Sequence, residues 1–322
     1  VLDDLRPLRA IAKNPEITTK QSHLFEPPTA YLAEYQQPTG SRFGGDALFN
    51  AENRKAGSML TYFYKVTDEK NKDSITLKFY DGERLIRTLE KKAPTETGLH
   101  RWYWYMNEKG VSRPRRSEQK KGAEPGGVTV KPGTYRVVLE SKETQSETTV
   151  SVLNDPRIEV SQKATDDRYH YAKTIEQFTE KATEAVEQLK RSQKTLASYK
   201  KRIEAKEKES HKEVLESIEE GTKNIDSIID LFLGKEDKRQ GIVRNLENSV
   251  VSRISIANRY VQSRPTGITL TEEKLLEHAR EDLKTALEKT NAFFKEQWED
   301  LKSKIEAVQL SEFEETKLFE IE

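Results

Sequence analysis

The side chains able to do chemistry in this chain are overwhelmingly carboxylates and cations, with few of any other kind. There is no cysteine, and the five histidines are His23, His100, His170, His211 and His278. No HExxH or HxH spacing joins any two of them, so nothing local supports a zinc site, and thiolate ligands and nucleophiles are excluded outright. There is no P-loop, no GxGxxG after a strand and no GxSxG elbow. Gly126-Gly127 lies in a polar stretch and suits a flexible connection better than a phosphate cradle. Adjacent carboxylates recur at Asp3-Asp4, Asp166-Asp167, Glu219-Glu220 and Glu272-Glu273. Glycoside hydrolysis needs two carboxyl groups about 5–10 Å apart, one with a raised pKa. In a chain whose residues are 34% charged, such neighbours arise readily as solvated surface groups. The residues imply no catalytic group, no cofactor and no metal.

Two features could bind rather than react. GLHRWYWYM (98–106) packs Trp102, Tyr103, Trp104 and Tyr105 into four positions. Such a cluster fits a sugar platform, a base platform or the core of a strand. Strand alternation puts Trp102, Trp104 and Met106 on one side and Tyr103 and Tyr105 on the other. The tryptophans, with Tyr135, are read as core, because a small β domain needs their large apolar area. Tyr103 and Tyr105 are then the candidate ligand contacts. The second feature is the run Arg113, Arg115, Arg116, Lys120 and Lys121 in a long polar loop over 107–131, which holds seven basic residues against three glutamates. It fits a solvated loop, or a grip on an acidic glycan or an acidic partner surface.

The elements that must position these residues follow from pattern. Over the 322 residues, 55 Lys and Arg balance 55 Asp and Glu, so global charge gives no argument for nucleic acid or a membrane surface. No apolar run is long enough to span a bilayer. Residues 1–50, rich in proline, read as an irregular strap docking through Leu24, Phe25, Tyr31 and Phe49. Residues 51–157 read as β, with strands at 59–66, 74–80, 84–90, 99–106, 134–140 and 147–153. Asp81-Gly82 reads as a hairpin turn. From 158 to 310 the apolar period becomes helical, in four stripes. Ser210 with Glu213, and Thr269 with Glu272, have capping-box spacing; Gly234 and Gly241 frame a link. Residues 311–322 form an acidic tail. The predicted fold class is multidomain α+β: a small antiparallel, immunoglobulin-like β-sandwich, then an antiparallel four-helix bundle.

The order VLDDLRPLR, HLFEPPTAY, GSMLTYFYKV, ITLKFYDGERLIRTL, GLHRWYWYM, VKPGTYRVVLE and NDPRIEVSQ, followed by helices, resembles the C-terminal region of secreted bacterial proteins with sortilin-type, BNR-repeat β-propellers, often labelled glycosyl-hydrolase-like. The resemblance implies that residues 1–50 hold a propeller-edge remnant before the strap, and that Trp104 is an inward-packing tryptophan. Tyr105 stands where that family often has an aspartate. It also implies a bacterial envelope or secreted location, with any hydrolytic site in the propeller and none in this chain.

The function expected is therefore a non-catalytic accessory region that buttresses a propeller of the same or a companion polypeptide and offers a docking surface. Glycans and envelope proteins are the further partners considered; nucleic acid is not expected. The alternatives are a carbohydrate-binding module using Tyr103, Tyr105 and the 107–131 loop, and a glycoside hydrolase with a carboxylate pair in an inter-domain cleft. A start at Val1, with neither methionine nor leader, is expected of a piece of a longer protein.

Overall fold

A computed structural model describes residues 4–33, 55–67, 73–118, 122–142, 144–206, 211–236 and 248–308. Expectations about Asp3, Phe49, Lys120, Lys121, Ser210, Gly241 and the tail 311–322 fall outside these residues. The fold is mixed α+β, with several sheets followed by helices. The chain divides into two compact units. One comprises Val1–Val111, Lys120–Glu176 and Val261–Ile268; the other comprises Ser112–Gln119, Gln177–Tyr260 and Thr269–Glu322.

The first unit holds ten strands: β1 (Ser22–Leu24), β2 (Ala30–Leu32), β3 (Ser58–Tyr64), β4 (Ser74–Asp81), β5 (Arg84–Lys92), β6 (Gly98–Trp104), β7 (Asn107–Lys109), β8 (Gly126–Thr129), β9 (Gly133–Glu140) and β10 (Gln145–Asn154). They form a three-stranded sheet in the order β1-β3-β6, a five-stranded sheet in the order β2-β10-β9-β4-β5, and the ladder β7-β8. One apolar core takes alternate residues from both larger sheets: Leu60, Tyr62 and Tyr64 from β3, Ile75, Leu77 and Phe79 from β4, and Tyr135, Val137 and Leu139 from β9. This period-2 burial is what the sequence alternation dictates. The β4–β5 hairpin closes at Gly82-Glu83, where Gly82 carries φ 59°, a value suited to the first central position of a II′ turn.

Two departures from the sequence reading matter. The opening segment is not irregular throughout: α1 (Arg6–Lys13) is a helix, and a 3-10 turn follows at Pro15–Thr19. Pro7 sits in the first turn of α1, where its missing N–H has no helical partner to lose. Next, β1 pairs antiparallel with β3, while β2 pairs parallel with β10. Residues 22–32 thus contribute a strand to each large sheet. The outer face of β3 is covered too, because Phe63 clusters with Ile17 and Phe25, flanked by Ala10 and Ile11. All seven residues of β3 are buried as a result.

The stretch 107–131 is not a plain loop either, since β7 and β8 pair within it and Gly126-Gly127 are ladder residues. The reason is steric. A Cβ on Gly127 would stand 2.6 Å from the Lys109 carbonyl oxygen and 2.7 Å from the Gly110 Cα, so two backbones meet where only glycine fits.

The helices are α2 (Gln162–Lys206), α3 (Lys212–Leu233), α4 (Val250–Ser263), α5 (Leu270–Ala292) and α6 (Trp298–Glu306), with a π-helical turn at Phe293–Gln297. Residues 162–176 of α2 belong to the first unit and the rest to the second. In the second unit α3 packs on α5 and α6. It meets α2 through Lys200–Glu219 at 2.7 Å and Gln193–Asp226 at 2.6 Å. The Thr269/Glu272 capping box forms at the start of α5. The fourth apolar stripe slips at the π turn: Leu283, Ala286, Thr290 and Phe293 are buried, and burial resumes at Leu301 and Ile305, while Phe294 and Trp298 are half-buried. One wide turn inserts a residue and rotates the face. No helix among the described residues is long and apolar enough to cross a membrane.

Candidate functional site

The four rings of β6 and its exit are sorted by backbone geometry. Trp104 is fully buried, stacked on Phe79 at 4.4 Å and edge-on to Tyr135 at 5.5 Å, with its Nε1–H donated to the Asn107 carbonyl at 2.9 Å. Tyr135 is buried, and its hydroxyl donates to the Lys131 carbonyl at 2.6 Å. Trp102, expected in the core, is half-buried at its margin, where the Lys91 ammonium lies 4.3 Å from its ring centroid. Burial pulls the Lys91 pKa down. The strand ends at Trp104, and Met106 turns through a left-handed corner at φ 53°. That corner sends Met106 inward and leaves Tyr105 68% exposed.

Tyr103, half-buried, lies opposite Met59 on the outer face of β6 and lines an open cleft of about 830 Å³. Arg6 and Arg9 reach it from α1, Lys55 from the approach to β3, and Arg101 from β6. The Lys55 ammonium stands 5.5 Å from the Tyr103 ring centroid. Among the described residues Asp4 is the one carboxylate in the lining, and it accepts the Arg6 N–H at 3.0 Å and lies 3.8 Å from the Arg6 guanidinium. Leu5, Pro28 and Met59 supply apolar wall. The chain thus gathers four cations around one ring. Sequence reasoning found Tyr103 but missed the cations, which are spread over 95 positions; Arg101, two residues before Tyr103 on the same strand face, was the sole local signal. A second crevice, near Leu32, Val130, Ile158 and Tyr169, encloses about 40 Å³ and has room only for water.

The described part of the basic run, Arg113, Arg115 and Arg116, lies in the second unit and is not a free loop. The Thr183 hydroxyl donates to the Ser112 carbonyl at 2.7 Å, and Lys190 donates to the carbonyls of Arg115 and Ser117 at 3.2 and 2.9 Å. Arg116 donates to Asp230 at 2.5 Å and to the Gly234 carbonyl at 2.6 Å. It therefore places a cation on the C-terminal end of α3, where carbonyls lack helical partners. Arg113 and Arg115 are exposed.

Buried charge collects elsewhere in the first unit. Glu108 of β7, 4% exposed, accepts a two-pronged guanidinium from Arg84 at 2.9 and 3.2 Å, the Tyr169 hydroxyl at 2.7 Å and the Lys173 ammonium at 3.2 Å. Lys173 also meets Glu176 at 2.5 Å. Tyr169 and Lys173 are four apart on α2 and so share one face. Burial alone would raise the Glu108 pKa, but hydrogen bonds from Arg84 and Tyr169, with the Lys173 charge, hold it below the usual range. Burial and the bond to Glu108 raise Tyr169.

Members of the described carboxylate pairs are also engaged. Asp166 bonds Gln162 at 3.0 Å and Lys131 at 3.1 Å, and its pKa is lowered by them. Asp167 pairs with Lys163, and Glu272 caps α5. Among the described residues, no group of three or more His, Asp or Glu is placed to hold a metal ion.

No family model matches the chain, and no curated protein does. A solved structure described as "pT26-6p" aligns over 79% of this chain and 47% of its own length, so the chain spans about half of that protein. The identity is 11% and the TM-score 0.18, a superposition that carries no argument about fold or function.

Proposed function

We propose that the chain is a non-catalytic accessory and interaction region of an exported bacterial β-propeller protein of the sortilin-type kind, acting in the envelope or outside the cell. In this reading the strands form an immunoglobulin-like sandwich and the helices an antiparallel four-helix bundle. The Tyr135 hydroxyl bonding back to a carbonyl four residues upstream supports the first part, being the arrangement of a tyrosine corner. The sandwich and its strap buttress the propeller of the same or a companion polypeptide, and the helices offer a docking surface. The observation that carries this reading is the stitching of residues 22–32 into both large sheets. Backbone pairing there makes a stiff junction, whereas a flexible linker would transmit no geometry. Expressing this chain with and without the propeller portion of its parent polypeptide tests it: the two pieces are expected to associate and to melt at a higher temperature together than apart. Equal stability and no association would count against buttressing.

A second reading, a carbohydrate-binding module, is favoured by one observation: Tyr103 lines an open cleft and Tyr105 is exposed beside it. Hydrolysis by a carboxylate pair receives less support, because a general acid needs a raised pKa. Among the described residues, Glu108, Glu118, Asp155, Asp166 and Glu277 are each displaced downward.

A further inference from the structure

We propose that Lys91 is a nucleophilic lysine whose ε-amine adds to aldehydes with an aromatic or other apolar body, the Trp102 ring being the face on which that body packs. Neither the accessory reading nor the carbohydrate reading is needed for it. The first observation is where the side chain stands. Register sets Lys91 opposite Ile75, Leu89 opposite Leu77 and Arg87 opposite Phe79. Ile75, Leu77 and Phe79 are core residues, so Lys91 shares the core-facing side of β5, the terminal strand of its sheet. It is half-buried at the margin of the core, while Lys92 beside it is exposed. Its nitrogen lies 4.3 Å from the Trp102 ring centroid and 5.2 Å from that of Tyr62.

The second observation is what answers the charge. Lys78, Lys131, Lys200 and Lys274 each reach a carboxylate within 3.1 Å. Among the described residues no carboxylate comes within ion-pair distance of Lys91, and the groups facing it are the two rings. His100, whose ring centroid lies 5.6 Å from that of Tyr62, is spent on the Glu96 carbonyl. Ring faces favour the ammonium, but less than water or a carboxylate does, so burial draws the amine below the usual lysine range. A desolvated lysine in apolar surroundings holds more of its free, nucleophilic form at neutral pH.

The third observation is the Tyr62 hydroxyl, which is fully buried and bonds to no partner among the described residues. A buried hydroxyl without an acceptor is costly, and the oxygen of a carbonyl brought to Lys91 would supply an acceptor beside that ring. The step balances with no further reagent. The amine lone pair forms a C–N bond to the carbonyl carbon while the C=O π pair moves to oxygen, and a proton passes from nitrogen to that oxygen. The carbinolamine then loses its hydroxyl with the remaining N–H proton as water, which leaves an imine.

The test is limited alkylation of the full chain at pH 7 with benzaldehyde or acetaldehyde, each imine being trapped by cyanoborohydride and assigned to its lysine from fragment masses. With benzaldehyde, Lys91 should label about threefold or more faster than Lys92, and its rate should reach a plateau below the pH range of ordinary lysines. The Lys91-to-Lys92 ratio cancels the intrinsic reactivity of each aldehyde, and it should be smaller for acetaldehyde, which has no ring to pack. Trp102→Leu, its fold verified by an unchanged melting transition, should bring the benzaldehyde ratio down to the acetaldehyde value. If that variant does not fold, the two aldehydes compared on the native chain decide the matter. Lys91 labelling no faster than Lys92 with either aldehyde would overturn the nucleophile. Equal ratios for the two aldehydes would overturn the apolar class and the role of Trp102.

Discussion

Around the buried Glu108 carboxylate, Arg84, Tyr169 and Lys173 converge at hydrogen-bond distance; beside Tyr103, four cations line an open cleft with one carboxylate among its described residues. Both clusters lie in the β unit, and both draw on residues far apart in sequence. The first is closed: each Glu108 oxygen has two donors, and the bonds tie β5, β7 and the start of α2 together. The second is open: Arg6, Arg9, Lys55 and Arg101 line a solvent-accessible cleft rather than converging on one buried group. Low dielectric makes a buried charge costly unless it is answered on the spot, so the closed cluster answers to stability. Solvated charges of this kind contribute little to folding.

The sharpest break in this contrast comes from Glu108→Ala, which removes the acceptor shared by Arg84, Tyr169 and Lys173 while leaving Arg84 its bond to Asp81 and Lys173 its bond to Glu176. About 2 kcal/mol of stability should be lost, read from chemical denaturation. A loss below about 1 kcal/mol would mean that the cluster is solvated after all. A smaller effect is expected from pH. Glu108 has a folded pKa below its ordinary 4.5, so its contribution is complete above pH 4.5 and disappears as pH falls through the folded value. The melting-temperature gap between the native chain and Glu108→Gln should therefore be wide at neutral pH and shrink in acid; a gap that widened in acid would refute the assignment. Smallest of all, Arg9→Gln/Lys55→Gln should change stability by no more than about 0.5 kcal/mol, since both side chains are exposed. A large destabilisation would make the open cluster structural as well.

The closed and open clusters also differ in how far the sequence disclosed them. Strands β3, β4, β5, β6, β9 and β10 were readable because alternation, β-branched residues and the Asp81-Gly82 turn all agree at short range. The strand pairs formed by residues 22–32 were not readable, since three-residue strands flanked by prolines carry too few alternating positions to declare a period. Glu108 looked like one acidic residue in a basic loop. Nothing near it in the chain foretold Tyr169 and Lys173, some sixty residues on. Tyr103 was legible as an outward-facing ring through alternation alone, whereas the arginines of α1 required a helix in a segment read as irregular. Arg116 was legible as a cation but not as the partner of Asp230 and the Gly234 carbonyl, which lie more than a hundred residues away.

The left-handed corner at Met106 has a consequence for how this surface can change. Tyr105 is thrust outward by the backbone of its neighbours, and neither its ring nor its hydroxyl is needed to keep Trp104 and Met106 in place. Position 105 is thus uncoupled from the core only one residue from its largest buried ring. A charge, an amide or a different aromatic can be installed there without renegotiating the packing behind it. The fold holds the strand constant while this position remains open to variation, so the surface can be retuned without being rebuilt.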